Sequence, residues 1–179
     1  MKDSRMTFRA EWGTCEVVSL AAPVNRDRNG LEGAQLTARV SAEFFARNFD
    51  ELYGMEEDVL QYAAVMCIKR ALYDLCDSRQ TDLRQLGSNL QLIALDHKTH
   101  RMIALHLGDG YILSFMDGKK KVVSYPRKGF GGRSRYITSM CPASPHLKVY
   151  RGDCHETDRF MLVNGGRTVS VLRDSGAGA

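Results

Sequence analysis

Three short apolar runs lie close together in the middle of the chain. The first holds Leu90, Leu92, Ile93, Ala94 and Leu95 and ends in the polar stretch Asp96-His97-Lys98-Thr99-His100. The second runs from Met102 to Leu107 and stops at Gly108-Asp109-Gly110; the third runs from Tyr111 to Phe115 and stops at Asp117-Gly118. Short apolar runs bounded by turn residues predict buried antiparallel strands, here a meander at the centre of the fold. Upstream, Thr7–Ala10 predicts an edge strand and Cys15–Ala21 a core strand, apolar and β-branched, that Pro23 ends because proline cannot donate to a ladder.

The rhythm then changes from strand to helix. Leu31, Ala34, Ala38, Phe45, Phe49 and Leu52 recur at helical spacing, and Asn29 with Glu32 reads as a capping box. Gly33, Ala34 and Ala38 are small enough for close packing against a sheet. Gly54 breaks the pattern. A second helix follows, with Glu56, Glu57 and Asp58 at its positive end and Leu60, Ala64, Cys67, Ala71 and Leu75 as its apolar stripe. Beyond the meander, Ile137–Met140, Leu147–Tyr150, Phe160–Val163 and Thr168–Leu172 predict further short strands. Strand, two helices, then many strands is the order of a layered α+β domain, not of alternating βαβ units.

Length and composition narrow the class. The 179 residues suffice for one compact domain, 1–179, with a substantial core, and 26% charged residues is ordinary for a soluble globular chain. A net charge of +4 is too small to point to nucleic acid. Five cysteines without paired spacing predict reduced thiols and a cytoplasmic location. The first residues lack the apolar stretch of a secretory signal, and no apolar run is long enough for a bilayer, so no membrane role is expected. The last residues, 174–179, read as a frayed tail.

Several residues invite chemistry. Positions 118–136 read as a flexible basic loop, with Lys119, Lys120 and Lys121 followed by Arg127, Lys128, Arg133 and Arg135 among glycines and aromatics. The last four are candidates for pairing with a phosphorylated or acidic partner, because guanidinium matches phosphate bidentately. Gly129 to Ser134 lacks the Lys-Ser/Thr of a phosphate-binding P-loop. Asp109, between two glycines, reads as a turn residue, and Asp27, between Arg26 and Arg28, as a solvated loop residue. Cys141, His146, Cys154 and His155 match none of the usual zinc spacings. Cys67 and Cys76 fall on helix positions that suit packing, and His97, His100 and His106 on a hairpin with solvated positions.

In order along the chain, several blocks resemble the metal-dependent protein phosphatases of type 2C. Val17-Val18-Ser19-Leu20-Ala21-Ala22-Pro23-Val24 is similar to the strand that leads to the family's Asp-Gly pair. Asn29 to Ala34 resembles the helix start after it. Gly87-Ser88-Asn89-Leu90 is similar to its Gly-Ser/Thr-Thr-Leu strand opening. Leu107-Gly108-Asp109-Gly110 resembles its Gly-Asp turn, and Arg159 to Gly166 its Phe-Leu-Leu-Ala-Ser-Asp-Gly block. The resemblance implies a four-layer αββα sandwich, two antiparallel sheets flanked by helices. It also implies two Mg²⁺ or Mn²⁺ ions held by carboxylates, with a bridging water as the nucleophile.

The sequence departs from that pattern at the acids. Ala22 falls on the Asp of the first Asp-Gly pair, and Gly165 on the late Asp. Asp3 has no matching motif, and Asp174 does not match the family's final acid. The reading is therefore a degenerate, non-catalytic phosphatase-like domain that binds a protein, in phosphorylated form or not, and holds no metal. Two alternatives stand beside it. One is an active Mg²⁺- or Mn²⁺-dependent phosphatase with a site rebuilt from Asp27, Asp109 and either Asp158 or Asp174; the other is a structural assembly module.

Overall fold

The computed structural model describes residues 6–126, 136–138, 142–157, 159–164 and 167–173, the last stretch as a backbone path. The candidate residues Asp3, Arg127, Lys128, Arg133, Arg135, Cys141, Asp158, Gly165 and Asp174 lie outside them, as do Gly129 to Ser134 and the tail.

Strand β1 (Met6–Trp12) pairs antiparallel with β2 (Cys15–Ala21), from Met6 opposite Ala21 to Trp12 opposite Cys15. Three helices follow: α1 (Arg28–Arg47), α2 (Phe49–Gly54) and α3 (Glu57–Arg79). The chain then returns through β3 (Leu90–Asp96) and β4 (Arg101–Leu107). Strands β5 (Tyr111–Met116) and β6 (Lys119–Ser124) form a hairpin, and β7 (Lys148–Asp153), β8 (Arg159–Asn164) and β9 (Arg167–Arg173) complete the described elements. One sheet has the order β1-β2-β3-β4-β7 and the other β6-β5-β8-β9. Every pairing is antiparallel.

The five-stranded sheet is the middle layer, and this explains why β2 and β3 are rich in apolar residues on both faces: all seven residues of each are buried. One face carries Val17, Leu92, Ala94, Ile103 and Leu105 against Phe45, Leu60, Ile68 and Leu72 of the helices. The other carries Val18, Leu20, Ile93, Leu95 and Ala104 against Ile112, Phe160 and Leu162 of the second sheet. Burying each large aliphatic side chain fully is worth about 1.5–3 kcal/mol, so this double-sided sheet is the main source of stability. Helix α1 approaches β1 and β2 through Ala34 and Ala38, which touch Ala21. A β-carbon on Gly33 would collide with the backbone of Leu86, so the helix comes that near only because residue 33 has no side chain.

The two antiparallel sheets with helices agree with the sequence expectation. The described α-helices all lie between β2 and β3 and pack on the five-stranded sheet. Among the described residues, no α-helix lies on the outer face of the four-stranded sheet.

Other expectations need correction. The meander breaks after β4: β5 pairs with β6 and β8 in the other sheet, so Gly108-Asp109-Gly110 is a crossover between layers and not a hairpin turn. Gly108 and Gly110 make it with φ of 93° and 108°, a region open to glycine at little cost. Lys119 to Lys121 belong to β6, not to a flexible loop, because Gly118 closes a tight turn that returns the chain along β5. Ile137 and Thr138 form a turn, tied by the Ile137 amide to the Ser88 carbonyl at 3.1 Å. The first helical stretch is interrupted at Asn48, whose side-chain amide bonds the Phe44 carbonyl at 2.8 Å. The buried stripe of α3 is Leu60, Ala64, Val65, Ile68, Leu72 and Cys76, rotated from the expected one, so Cys67, Ala71 and Leu75 sit at its margin.

Candidate functional site at one end of the sandwich

Antiparallel pairing brings four blocks of the sequence to the same end of the molecule. The end of β2 meets the start of β3, with Leu20 opposite Gln91. The start of β3 meets the end of β4, with Leu90 opposite Leu107, and β5 begins opposite the end of β8, with Tyr111 opposite Val163. Ala22, Asn89, the 108–110 crossover and Asn164 therefore gather where the two sheets part. The blocks that looked alike in sequence share a place in space.

Amides close this end. The Ala22 backbone N–H donates to Asn89 Oδ1 at 2.7 Å, and the Asn89 N–H returns a bond to the Ala22 carbonyl at 3.1 Å. Pro23 makes an isolated bridge to Ser88, so it continues the pairing of β2 for one step beyond the strand end. Gln91, fully buried between the sheets, donates through Nε2 to the Asp109 carbonyl at 2.8 Å and the Val163 carbonyl at 3.1 Å. One side chain thus holds the crossover in one sheet and the end of β8 in the other. A side chain at Gly110 would collide with Gln91 Nε2 and the Val163 carbonyl. Asn164 is buried beside them, while Asp109 is exposed and half-buried Ala22 contributes only a methyl group.

Behind the amides lies His106, 2% exposed, with Nδ1 2.7 Å from Ser124 Oγ, which donates in turn to Tyr150 Oη at 3.3 Å. Burial lowers its pKa to about 4; the Lys148 charge adds to this, and Asp109 with the nearby backbone opposes it. The ring is neutral at pH 7, and this buried position corrects the expectation of a solvated hairpin histidine. Tyr136, from the next described segment, is raised by burial and then by the Asp109 charge.

The donor set can be compared with what two Mg²⁺ or Mn²⁺ ions require. Such hard cations take oxygen ligands, several of them carboxylates that offset the charge. Here the described carboxylate is Asp109; Asn89 Oδ1 is engaged by Ala22, and Gln91 Oε1, without a partner, is a neutral amide oxygen. Position 165 carries no side chain. These residues do not fit a dinuclear centre. Among the described residues, no three His, Cys, Asp or Glu side chains group as metal ligands.

The remaining candidates lie elsewhere. Asp27 is the N-cap of α1, accepting from the Gly30 N–H at 2.7 Å, and Asn29, expected in that role, instead bonds Thr81 and Gln85. Cys154 Sγ donates to the His100 carbonyl at 3.0 Å, and His155 stacks on the His100 ring at 3.8 Å, both apart from His146 in the turn before β7. His97 pairs with Glu16 at 3.0 Å. Burial raises the thiol pKa of Cys67 and of Cys76, which removes the thiolate a nucleophile needs. The sequence reading missed Asn89, Gln91 and Asn164 as a set. The available signal was a glutamine and a histidine inside otherwise apolar strands.

Comparison with known proteins adds to this geometry. Residues 26–175 match the family model described as Protein phosphatase 2C. No curated protein matches the sequence. Among solved structures, a chain from work on the bacterial stressosome aligns with a TM-score of 0.60 at 10% identity, covering 98% of this chain and 72% of that one. The serine/threonine phosphatase of S. agalactiae aligns at 0.64 and 12% identity, over 90% and 72%. A Stage II Sporulation E family protein from Thermanaerovibrio acidaminovorans aligns at 0.59 and 14%, over 89% and 78%. No helix among the described residues is long and apolar enough to cross a membrane.

Proposed function

The chain belongs to the protein phosphatase 2C family, and from that premise we propose that it acts by binding a protein partner and not by hydrolysing phosphate esters. The observation that carries this reading is the closure of the sandwich end by amides. Asn89 Oδ1 and Gln91 Nε2 are spent on backbone groups of neighbouring segments, where a bimetallic hydrolase needs acids aimed at open space. Ala22 and Gly165 remove two carboxylates at once. The partner is a phosphorylated or acidic protein segment, met by Arg127, Lys128, Arg133 and Arg135, whose charges suit phosphate oxygens. The likeness to a stressosome chain supports a place among protein assemblies, and the cytoplasm is the compartment we assign.

Calorimetric titration with Mn²⁺, run beside an assay on p-nitrophenyl phosphate, tests the reading. No saturable Mn²⁺ binding and no turnover are expected, together with capture of a phosphoprotein that is lost on R133Q/R135Q. Tight Mn²⁺ binding with turnover that Asp109→Asn abolishes would sink the proposal and favour a rebuilt phosphatase site.

A further inference from the structure

We propose that the open side of the sandwich, between β6 and β7, is a binding cleft for an amphipathic anion: an apolar chain ending in a carboxylate or phosphate. Strands β6 and β7 are the terminal strands of their sheets. They face one another across a cavity of about 780 Å³. Small-molecule sites commonly occupy about 300–1,000 Å³ and are mostly apolar with a few polar groups.

The side chains on the inner face fit this description. On β5, Ile112 is buried between the sheets, so Ser114 and Met116 share its face. Ser114 stands opposite Phe160 of β8, itself 2% exposed on the inner side. A register shift beside Ile112 sets Lys121 opposite Ser114 and Lys119 opposite Met116. By register both lysines fall on the inner face at the rim of the sandwich, where with Lys120 they line the cavity while staying exposed to solvent. Across the gap, Met102 and Tyr150 form an apolar floor that is only partly buried.

Two ammonium groups above an apolar floor define the ligand. Inward residues two apart on a strand lie about 7 Å from each other, a span that one oxyanion head bridges. The apolar chain would cover Met102 and Tyr150, the surface the second sheet leaves open. Asp153, whose Oδ1 accepts from the His155 N–H at 2.8 Å, and exposed Glu156 also line the cleft, toward the end where β6 begins, and Lys119, Lys120 and Lys121 outnumber them. The surplus of basic side chains favours an anionic head on the β6 side. The cleft is separate from the amide-closed end, so the outcome of the Mn²⁺ experiment leaves it untouched.

Sodium oleate below its critical micelle concentration is the probe, titrated calorimetrically into the full chain. Saturable 1:1 binding in the micromolar range is expected. K119Q/K121Q should weaken it at least tenfold, and so should Ser114→Leu, which fills the cleft. In the wild type, a doxyl-labelled stearate should broaden the amide resonances of Met102, Ser114, Lys121 and Tyr150. That arm needs no variant to fold. Absence of saturable binding, broadening centred elsewhere, or affinity indifferent to both variants would overturn the proposal. Binding to phosphatidylglycerol vesicles without binding of monomeric oleate would do the same and assign the lysines to a lipid surface. Self-association of K119Q/K121Q with oleate affinity intact would make the lysines guards of an edge strand instead.

Discussion

His106 shows how one residue links the candidate site to the stability of the fold. Its folded pKa is near 4, below the ordinary 6.5. Between those values the unfolded chain binds a proton that the folded chain does not, so stability rises with pH across that window. The contribution is fully present above about 6.5 and is lost as pH falls toward 4; its size is on the order of 3 kcal/mol. Urea midpoints should therefore fall between pH 7.5 and pH 4.5, and His106→Gln should flatten that slope. Asp96 adds a second loss at lower pH. Its burial works against ionisation, but bonds from Thr14, Thr99 and the backbone of Lys98 and Thr99 prevail and hold its pKa down. Little of this was legible in the sequence. A histidine in Ile103-Ala104-Leu105-His106-Leu107 looks the same whether it faces water or Ser124, since the partner lies 18 residues away on a strand of the other sheet.

At the scale of elements, the sequence carried most of the information. Period-two and period-3.6 patterns are local, so β2, β3, β4 and the helices fall close to where the residues place them. Errors arose where a distant contact decides. Asp27 and Asn29 are both good caps, and tertiary bonds from Asn29 to Thr81 and Gln85 leave the cap to Asp27. Asp27→Ala should then cost about 1 kcal/mol in urea unfolding, whereas Asp27→Asn should be close to neutral. The stripe of α3 was misplaced because apolar residues occur around much of the helix: Val59, Tyr62, Met66 and Tyr73 remain exposed while Leu60, Ile68 and Leu72 are buried. The crossover after β4 escaped notice for a similar reason. A Gly-Asp-Gly turn fits a hairpin and a change of sheet equally well, and the pairing of β5 with β6 and β8 separates them. The sequence shows Ala22 and Gly165 at the two block ends; the amides of Asn89 and Gln91 at the sandwich end become visible only when strand register brings the blocks together.

For the whole molecule, the two sheets are unequally covered. The five-stranded sheet is packed on both faces, whereas the described helices leave the outer face of the four-stranded sheet alone. Native-state opening follows such differences, because a segment with fewer buried contacts costs less to release. Amide hydrogen exchange should find the slowest protons on β3 and β4, near the global unfolding free energy. The β5–β6 hairpin should exchange through a cheaper, partial opening; uniform protection across both sheets would contradict this. The cleft lies in that looser half, so the molecule has a rigid frame and a yielding flap built from one continuous chain. An occupant seated over Met102 and Tyr150 would then act as a clasp, slowing exchange in the hairpin while β3 keeps its own rate. Occupancy would be written into the breathing of one sheet, and anything that docks on that sheet could read it.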